Sequence, residues 1–318
     1  NLKEAYIIDF LRLGSSRFKY EYFFDNGNHI EEDEANSKVL RRMVGFVNII
    51  NSSLSVLGSN FPDVMKSVIR PLIYSIRMSN YVLSQDINHD FIDKVAINLR
   101  QLGMKCFHSL FEYLGETLDW TEYIADIYNN VIKPRLVRFE DENLQQPSSI
   151  MKMMTYWANH KFLYKFLYFD DYAPAKALMR TLSSDNAKET VVHVLLDYSN
   201  KIVKNPSKDT EYIGLISLTV STCLQVLPEL FKKIVSQQVS SVAIDLLLNM
   251  TEAGYIQDNE TRKLLVDSLT LALEKDIGNV HMKDKVKILR SLASLITEYD
   301  CSWQDIESLY KACSKLYR

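Results

Sequence analysis

The sequence predicts an all-α protein, an α-solenoid of stacked helical hairpins of the HEAT or armadillo kind. The chain has 9 glycines and 7 prolines in 318 residues, whereas average usage of the pair is roughly 12%. Sheets and α/β folds need many turns, which consume these two residues. Apolar residues also recur every three or four positions, the period of a helix with one buried face. No stretch alternates with period two convincingly enough to demand a sheet.

The apolar period is clearest in three parts of the chain. These are Val39, Met43, Val47, Ile50, Leu54 and Leu57, then Val95, Leu99, Leu102, Cys106, Leu110 and Leu114, then Trp120, Ile124, Ile127 and Val131. Many residues beside the stripe, such as Val44 and Phe107, are apolar as well. A wide stripe indicates a helix that is contacted on two sides, as inside a stacked array.

Turn-forming residues divide the chain into about a dozen predicted helices of roughly 15 to 25 residues. The predicted breaks lie near residues 25–37, 58–62, 84–90, 115–120, 140–148, 168–174, 183–186, 204–211, 254–259, 277–282 and 299–302. Asn186 with Glu189 has the spacing of a capping box at a helix start. The uncharged run from Ile213 to Pro228 is too short to span a bilayer and predicts a buried helix.

One sequence pattern occurs twice. Val68-Ile69-Arg70-Pro71 is followed 63 residues later by Val131-Ile132-Lys133-Pro134. HEAT and armadillo units have about 40–47 residues, so the echo predicts irregular repeat lengths. Amphipathic pattern at both ends of the chain, Leu2–Leu13 and Ile306–Leu316, suggests a piece of a longer protein. We expect residues 1–318 to form one continuous solenoid segment, with further helical repeats over 206–318.

Motifs for catalysis, cofactors and metals are missing from the sequence. The glycines are too far apart for GxGxxG or a P-loop, and there is no HExxH and no GxSxG. The four cysteines form no CxxC pair, which is typical of reduced thiols in an intracellular protein. We therefore expect no enzyme activity, no cofactor, no metal site and no small-molecule substrate, and no membrane association.

The candidate site is a set of cations in the middle of the chain. The net charge is −3, so the chain lacks the strongly basic balance of a free-standing nucleic-acid module, and any RNA contact must be local. Lys133, Arg135 and Arg138 follow one another without an acidic residue between them, and Lys152 comes next. If equivalent helices stack, these side chains line one ridge that neutralises RNA phosphates. An ordinary solvated helix face is the alternative.

Three further clusters have two interpretations each. Lys283, Lys287 and Arg290 are a second basic face, either for phosphate contacts or for solvent. The carboxylates around Glu112–Asp126 are either a docking patch for a basic partner or a solvated surface. The aromatic residues between Tyr156 and Tyr172 suit base stacking or, more commonly, core packing.

Runs of residues between Val95 and Pro206 resemble a known family. They are Ile97-Asn98-Leu99-Arg100-Gln101-Leu102-Gly103-Met104-Lys105, Trp120, Val131-Ile132-Lys133-Pro134, Pro147-Ser148-Ser149-Ile150-Met151-Lys152-Met153-Met154, and Trp157-Ala158-Asn159. Upstream, Phe10–Leu13, Leu40–Gly58 and Asn60–Ile76 fit the same pattern. The sequence resembles the DRIM family, very large HEAT-repeat proteins associated with the U-three small nucleolar RNA in the small-subunit processome. The match is best over 1–205, and the acidic stretch Glu31–Glu34 departs from the family's loop.

The resemblance implies a function that composition and spacing do not. It implies a non-catalytic scaffold segment in small ribosomal subunit biogenesis, located in the nucleolus, that supports pre-rRNA processing within a small nucleolar ribonucleoprotein. The implied partners are pre-ribosomal proteins and the precursor and small nucleolar RNAs. The alternative is a helical-repeat adaptor for protein cargo, as in transport receptors or phosphatase scaffolds, because the same architecture serves many functions.

Overall fold

The computed structural model describes residues 33–60, 62–84, 90–205, 209–233, 236–275 and 282–297, and a few positions after 305. Regular structure within these ranges is helical and contains no strand, which confirms the predicted all-α class. The α-helices are α1 Asp33–Leu57, α2 Pro62–Ser67, α3 Ile69–Ser84, α4 Asp90–Leu114, α5 Ile124–Ile127, α6 Lys133–Leu136, α7 Phe139–Asn143, α8 Ser149–Tyr156, α9 Tyr164–Leu182, α10 Glu189–Lys204, α11 Thr210–Lys232, α12 Gln237–Glu252, α13 Asn259–Lys275 and α14 Met282–Thr297. Short 3-10 helices cover Gly58–Asn60, Trp157–Asn159 and Lys161–Leu163, and a π-helix covers Tyr128–Ile132.

The chain divides into two compact units, and the first contains residues 1–138 and 148–169. Its central helix is α4, which packs against α1, α3 and α8. The helices α1, α4 and α8 begin at Asp33, Asp90 and Ser149, which lie 57 and 59 positions apart. In the second layer, α3 packs against the π-helix. This is the stacking of helical hairpins that the sequence predicts, with long repeats.

The second unit contains residues 139–147 and 170–318. One layer is formed by α10, α12 and α14, each packed against the next, and the other by α11 and α13. The first-layer helices begin at Glu189, Gln237 and Met282, which lie 48 and 45 positions apart. These spacings are close to the length of an ordinary HEAT or armadillo unit. The unequal repeat lengths of the two units agree with the irregularity that the sequence echo predicts.

The core of each unit consists of the apolar stripes. Met43, Val47, Ile50 and Leu54 of α1 are fully buried, as are Leu99, Cys106 and Leu110 of α4. The aromatic segment after Tyr156 contributes to the core of the first unit, where Trp157 stacks on Phe166 with 4.7 Å between ring centroids. Core packing is thus the correct interpretation for Trp157, Tyr164 and Phe166, which are buried.

The structure differs from the sequence prediction between Trp120 and Leu163. Two long helices separated by a break near 140–148 were expected there, but the chain forms several helices of three to eight residues. Pro134 lies in the first turn of α6, and a proline both lacks the N–H donor and crowds the preceding turn. The predicted capping box at Asn186 is also wrong, since α10 begins at Glu189 and Lys188 is its N-cap residue, without a side-chain cap.

The predicted break at 168–174 lies inside α9. Three consecutive residues there, Asp170, Asp171 and Tyr172, have φ of 51°, 53° and 60°, in the left-handed region that costs a non-glycine residue about 1 kcal/mol or more. The ion pair between Lys176 and Asp171 and the seat of Tyr172 against Gly214 of α11 hold this turn in place.

The uncharged run Ile213–Pro228 lies within α11. Among the residues that the structure describes, α11 is the one helix whose length and composition would allow it to cross a membrane. Its buried residues include Leu215, Ile216, Val220 and Leu227, and it packs against α10 and α13. These contacts are those of a core helix in a stacked array, and a core helix can have the length and composition of a membrane span.

Candidate nucleic-acid interface

The basic segment Lys133–Arg138 forms an exposed turn in the first unit. Residues before it, Val131 and Ile132, are fully buried, and Phe139 after it is 1% exposed. Between these anchors no side chain is buried, and Val137 is 89% exposed. The three predicted cations Lys133, Arg135 and Arg138 are thus presented together on one short segment.

A π-helical turn sets the direction of this segment. The main-chain N–H of Lys133 donates to the carbonyl of Tyr128, five residues earlier, instead of the usual four. One residue later, Pro134 has no N–H for the carbonyl of Asn130. The side-chain amide of Asn80, on α3, donates to that carbonyl over 3.0 Å. The neighbouring helix therefore satisfies an acceptor that the proline leaves open.

Two of the candidate cations lie in different environments. The ammonium of Lys133 is 5.8 Å from the ring centroid of Tyr128, a cation–π distance that restricts the lysine stem above a buried ring. Lys152 is exposed on α8, a separate helix whose N-cap Ser148 accepts a hydrogen bond from Met151 N. The structure thus places all four candidates on the surface of the first unit, three of them in one segment.

The first copy of the echo shares only part of the burial pattern of the second, because Pro71 is buried whereas Pro134 is exposed. Val68 and Ile69 are fully buried, Arg70 is exposed and Pro71 lies in the first turn of α3. Arg70 differs from Lys133 in its surroundings, because it lies near Glu122, whose pKa is lowered chiefly by a hydrogen bond with Tyr123 and further by the charges of Lys66 and Arg70. The first copy is therefore less suited to a phosphate than the second.

The acidic cluster at the end of α4 is paired within the chain. Glu116 Oε1 is 3.0 Å from His160 Nδ1, and Glu122 Oε1 is 3.7 Å from Lys66 Nζ. Asp119 accepts hydrogen bonds from the side chain and the N–H of Thr121, and these bonds lower its pKa. The solvated interpretation of this cluster fits these contacts better than a docking patch does.

The second basic face also has a structural role. Lys287 of α14 binds Asp245 of α12 at 2.5 Å and lies 3.6 Å from the buried Asp284. Ser241 donates a further hydrogen bond of 3.1 Å to Asp284. Lys287 therefore joins two stacked helices, and the side chain of Lys283 lies outside the described residues.

The apolar side chains of Val137 and Phe162 are both exposed; sequence reasoning did not single out Val137, whereas Phe162 was part of the aromatic segment with two interpretations. Val137 stands between Arg135 and Arg138, and Phe162 is 59% exposed although its aromatic neighbours Trp157 and Phe166 are buried. In a helical pattern both look like ordinary core positions. The signal that distinguishes Val137 is its place after Pro134, where the helix register is interrupted.

Metal ligands are not grouped in the part of the chain that the structure describes: it holds no set of three His, Cys, Asp or Glu side chains that fits an ion. Cys106 and Cys223 are buried free thiols, and burial raises the pKa of each to about 12. A thiol with such a pKa is a poor nucleophile at neutral pH.

Comparison with known proteins identifies the family. The family model for U3 small nucleolar RNA-associated protein 20, N-terminal, matches residues 1–318. The chain belongs to this family. It is 44% identical over 319 residues to U3 small nucleolar RNA-associated protein 20 of Saccharomyces cerevisiae (strain ATCC 204508 / S288c), an alignment that covers 100% of this chain and 13% of the relative. The protein of the same name from Schizosaccharomyces pombe (strain 972 / ATCC 24843) is 32% identical over 180 residues, or 55% of this chain and 7% of the relative.

A solved structure was also found. The crystal structure of computationally designed armadillo repeat proteins for modular peptide recognition covers 80% of this chain and 99% of its own, with 16% identity and a TM-score of 0.44.

Proposed function

We propose that this chain is a non-catalytic scaffold segment that acts in small ribosomal subunit biogenesis, within a particle containing the U3 small nucleolar RNA, in the nucleolus. The observation that supports this proposal is family membership over the full 318 residues, together with the names of the two relatives. The chain corresponds to 13% of the longer-aligned relative. The role proposed here is therefore that of one segment of a continuous helical-repeat array.

The mechanism is positioning over a large surface. Stacked helical hairpins contact mainly their neighbours, so an array grows to any length and keeps a continuous surface for partners. Such a segment holds pre-ribosomal proteins and RNA in place through many weak contacts, and it needs no catalytic group.

We further propose that Lys133, Arg135, Arg138 and Lys152 contact phosphates of the precursor or small nucleolar RNA. Three of these cations stand on one exposed turn whose direction is fixed by the π-helix. Phosphate contacts position a protein on RNA without reading its sequence, which suits a scaffold.

Crosslinking in cells tests the proposal. The full-length parent protein is tagged, crosslinked by ultraviolet light and purified under denaturing conditions, and the bound RNA is sequenced. Recovery of small-subunit precursor rRNA and U3 RNA, with crosslinked peptides from 133–152, is the expected result. Recovery of neither RNA contradicts the proposed function, whereas recovery of both with crosslinks elsewhere contradicts the assignment of the four cations alone.

A charge-reversal variant of the parent protein gives the genetic test. Lys133→Glu, Arg135→Glu and Arg138→Glu together are expected to reduce the crosslinks of this segment and to slow maturation of the small-subunit rRNA. The matched control reverses three exposed lysines elsewhere, Lys105, Lys204 and Lys263, and so changes the net charge equally. Equal effects of the two variants would point to net charge and not to the basic segment.

A further inference from the structure

A groove in the second unit runs along α11, with α9 on its other side over the first part and the start of α10 over the second. Two adjoining cavities of about 460 and 390 Å³ lie along it and share Ser183. The lining extends from Asp170 in the first cavity to Val239, near the start of α12, in the second. Both cavities have volumes within the range of ordinary ligand sites.

The floor of the groove is apolar. Its apolar lining includes Ala173, Met179 and Leu218 in the first cavity and Val192, Val226 and Val239 in the second. Val226 and Val192 are half-buried, so their side chains are available to a bound apolar group. Burial of such surface is the term that supplies most of the affinity of a small interface.

The rim of the groove carries more carboxylates than cations. The carboxylates are Glu140, Asp170 and Asp171 at the first cavity and Asp185, Glu189 and Glu229 at the second, whereas the cations are Lys176, Arg180 and Lys233. The ion pair of Lys233 with Asp185, at 3.3 Å, leaves the carboxylate 93% exposed. Glu229 is likewise paired, with Lys232 at 2.7 Å, and Asp171 with Lys176. With Lys232 counted, the rim keeps an excess of two carboxylates, which favours Lys and Arg side chains over phosphates.

We propose that this groove binds an extended, basic segment of a partner protein that carries aliphatic side chains between its lysines or arginines. The part of α9 that lines the groove, from Ala173 to Leu182, rises about 14 Å at 1.5 Å per residue. An extended chain covers that length with about five residues, and its alternate side chains point to the same face. Aliphatic side chains then enter the two cavities, and basic side chains meet the rim. The residues that line the groove do not include those of the basic segment, and the inference does not rest on the proposed RNA contact.

Binding of synthetic peptides to the 318-residue chain tests the groove. The probe is a fluorescein-labelled heptapeptide, Lys-Leu-Lys-Ser-Lys-Leu-Lys, measured by fluorescence anisotropy. One control peptide replaces both leucines by serine, and a second replaces all lysines by glutamate. The probe is expected to bind at least about tenfold more tightly than either control, because each lacks one of the two complementary features.

Two protein variants locate the binding. Val226→Trp fills the groove without a change of charge, and Asp185→Lys with Glu229→Lys reverses two rim carboxylates. Each is expected to weaken binding of the probe by about tenfold or more. Asp267→Lys, on the exposed face of α13, is expected to change the dissociation constant by less than about twofold. Thermal melting of each variant confirms folding, and the two rim substitutions, both at exposed positions, keep the test valid if Val226→Trp does not fold.

Three results would overturn the proposal. The first is the absence of saturable binding of the probe. The second is equal binding by the groove variants and the Asp267→Lys control. The third is competition by a uridine decamer that the groove variants abolish, which would assign the groove to RNA.

Discussion

The side-chain amide of Asn80 donates a hydrogen bond of 3.0 Å to the main-chain carbonyl of Asn130. In a regular helix this carbonyl accepts from the residue four positions later, which here is Pro134 and has no N–H. Asn80 lies on α3 and Asn130 in the π-helix, so one side chain both satisfies the acceptor and joins the two elements. The basic segment begins directly after this point.

Substitution of Asn80 by alanine is expected to lower the free energy of unfolding by about 1–2 kcal/mol, because the carbonyl of Asn130 loses its partner in a partly buried place. Chemical denaturation monitored by circular dichroism measures the change. Asn48→Ala, at an exposed position of α1, is the control and is expected to stay within about 0.5 kcal/mol.

Replacement of Pro134 by alanine restores an N–H near the same carbonyl. The cost of Asn80→Ala is therefore expected to be smaller in the Pro134→Ala background, with a coupling energy of about 0.5 kcal/mol or more. A double-mutant cycle measures this coupling. Strict additivity of the two substitutions would show that the amide does not replace the missing N–H.

The triple variant Lys133→Glu, Arg135→Glu and Arg138→Glu is expected to change the salt dependence of RNA binding. The slope of log K against log salt is negative, and each lost phosphate contact to a single strand makes it shallower by about 0.7. Three lost contacts therefore make it shallower by about 2. Anisotropy titrations of the 318-residue chain with a fragment of small-subunit precursor rRNA give the slopes. The scattered control, Lys105→Glu with Lys204→Glu and Lys263→Glu, is expected to keep the original slope, and a drop of the same size in that control contradicts the prediction.

Lys287→Met is expected to destabilise the second unit by about 2 kcal/mol, since Asp245 and the buried Asp284 then lack a charged donor. The hydrogen bond to Asp245 raises the pKa of Lys287. Its contribution is therefore complete below the ordinary lysine pKa and is lost as pH rises through the higher folded value. The difference from the natural chain should be constant from about pH 7 to 9 and should shrink above about pH 10.5. Urea unfolding across this range measures it, with Lys263→Met as the exposed control; a difference that persists undiminished at high pH counts against the charge as its origin.

Substitution by alanine is expected to have opposite effects on stability at two helical glycines. A methyl group at Gly214 meets the hydroxyl of Tyr172, whereas one at Gly45 meets nothing within 4 Å. Gly45→Ala is expected to stabilise the chain by about 0.5–1 kcal/mol through helix propensity, and Gly214→Ala to destabilise it by about 1–3 kcal/mol through overpacking. Tyr172→Phe removes the nearest atom and is expected to reduce the cost of Gly214→Ala. Thermal melts compare the four variants, and a stabilising Gly214→Ala would mean that Tyr172 moves freely.

The long helices and their buried faces were predictable because period and burial are properties of neighbouring residues in one helix. The stripe of Met43, Val47 and Ile50 is an example, since each lies under its predecessor on the same face. The candidate cations Lys133, Arg135 and Arg138 were also predictable as a charged run free of acidic residues. Their location on one exposed turn was not predictable, because it depends on the π-helix before them.

The chain's pattern of apolar residues, and its low content of glycine and proline, determined by themselves that this protein is helical and built from stacked hairpins. The tertiary structure decided whether a charged or aromatic side chain is exposed or packed against a partner. Lys287 is held by Asp245 of the neighbouring helix α12, and Phe162 is exposed while Phe166 is buried. The groove along α11 likewise exists only after distant segments are brought side by side. The physical reason is that helix periodicity arises from local hydrogen bonds, whereas ion pairs and cavities depend on residues far apart in sequence.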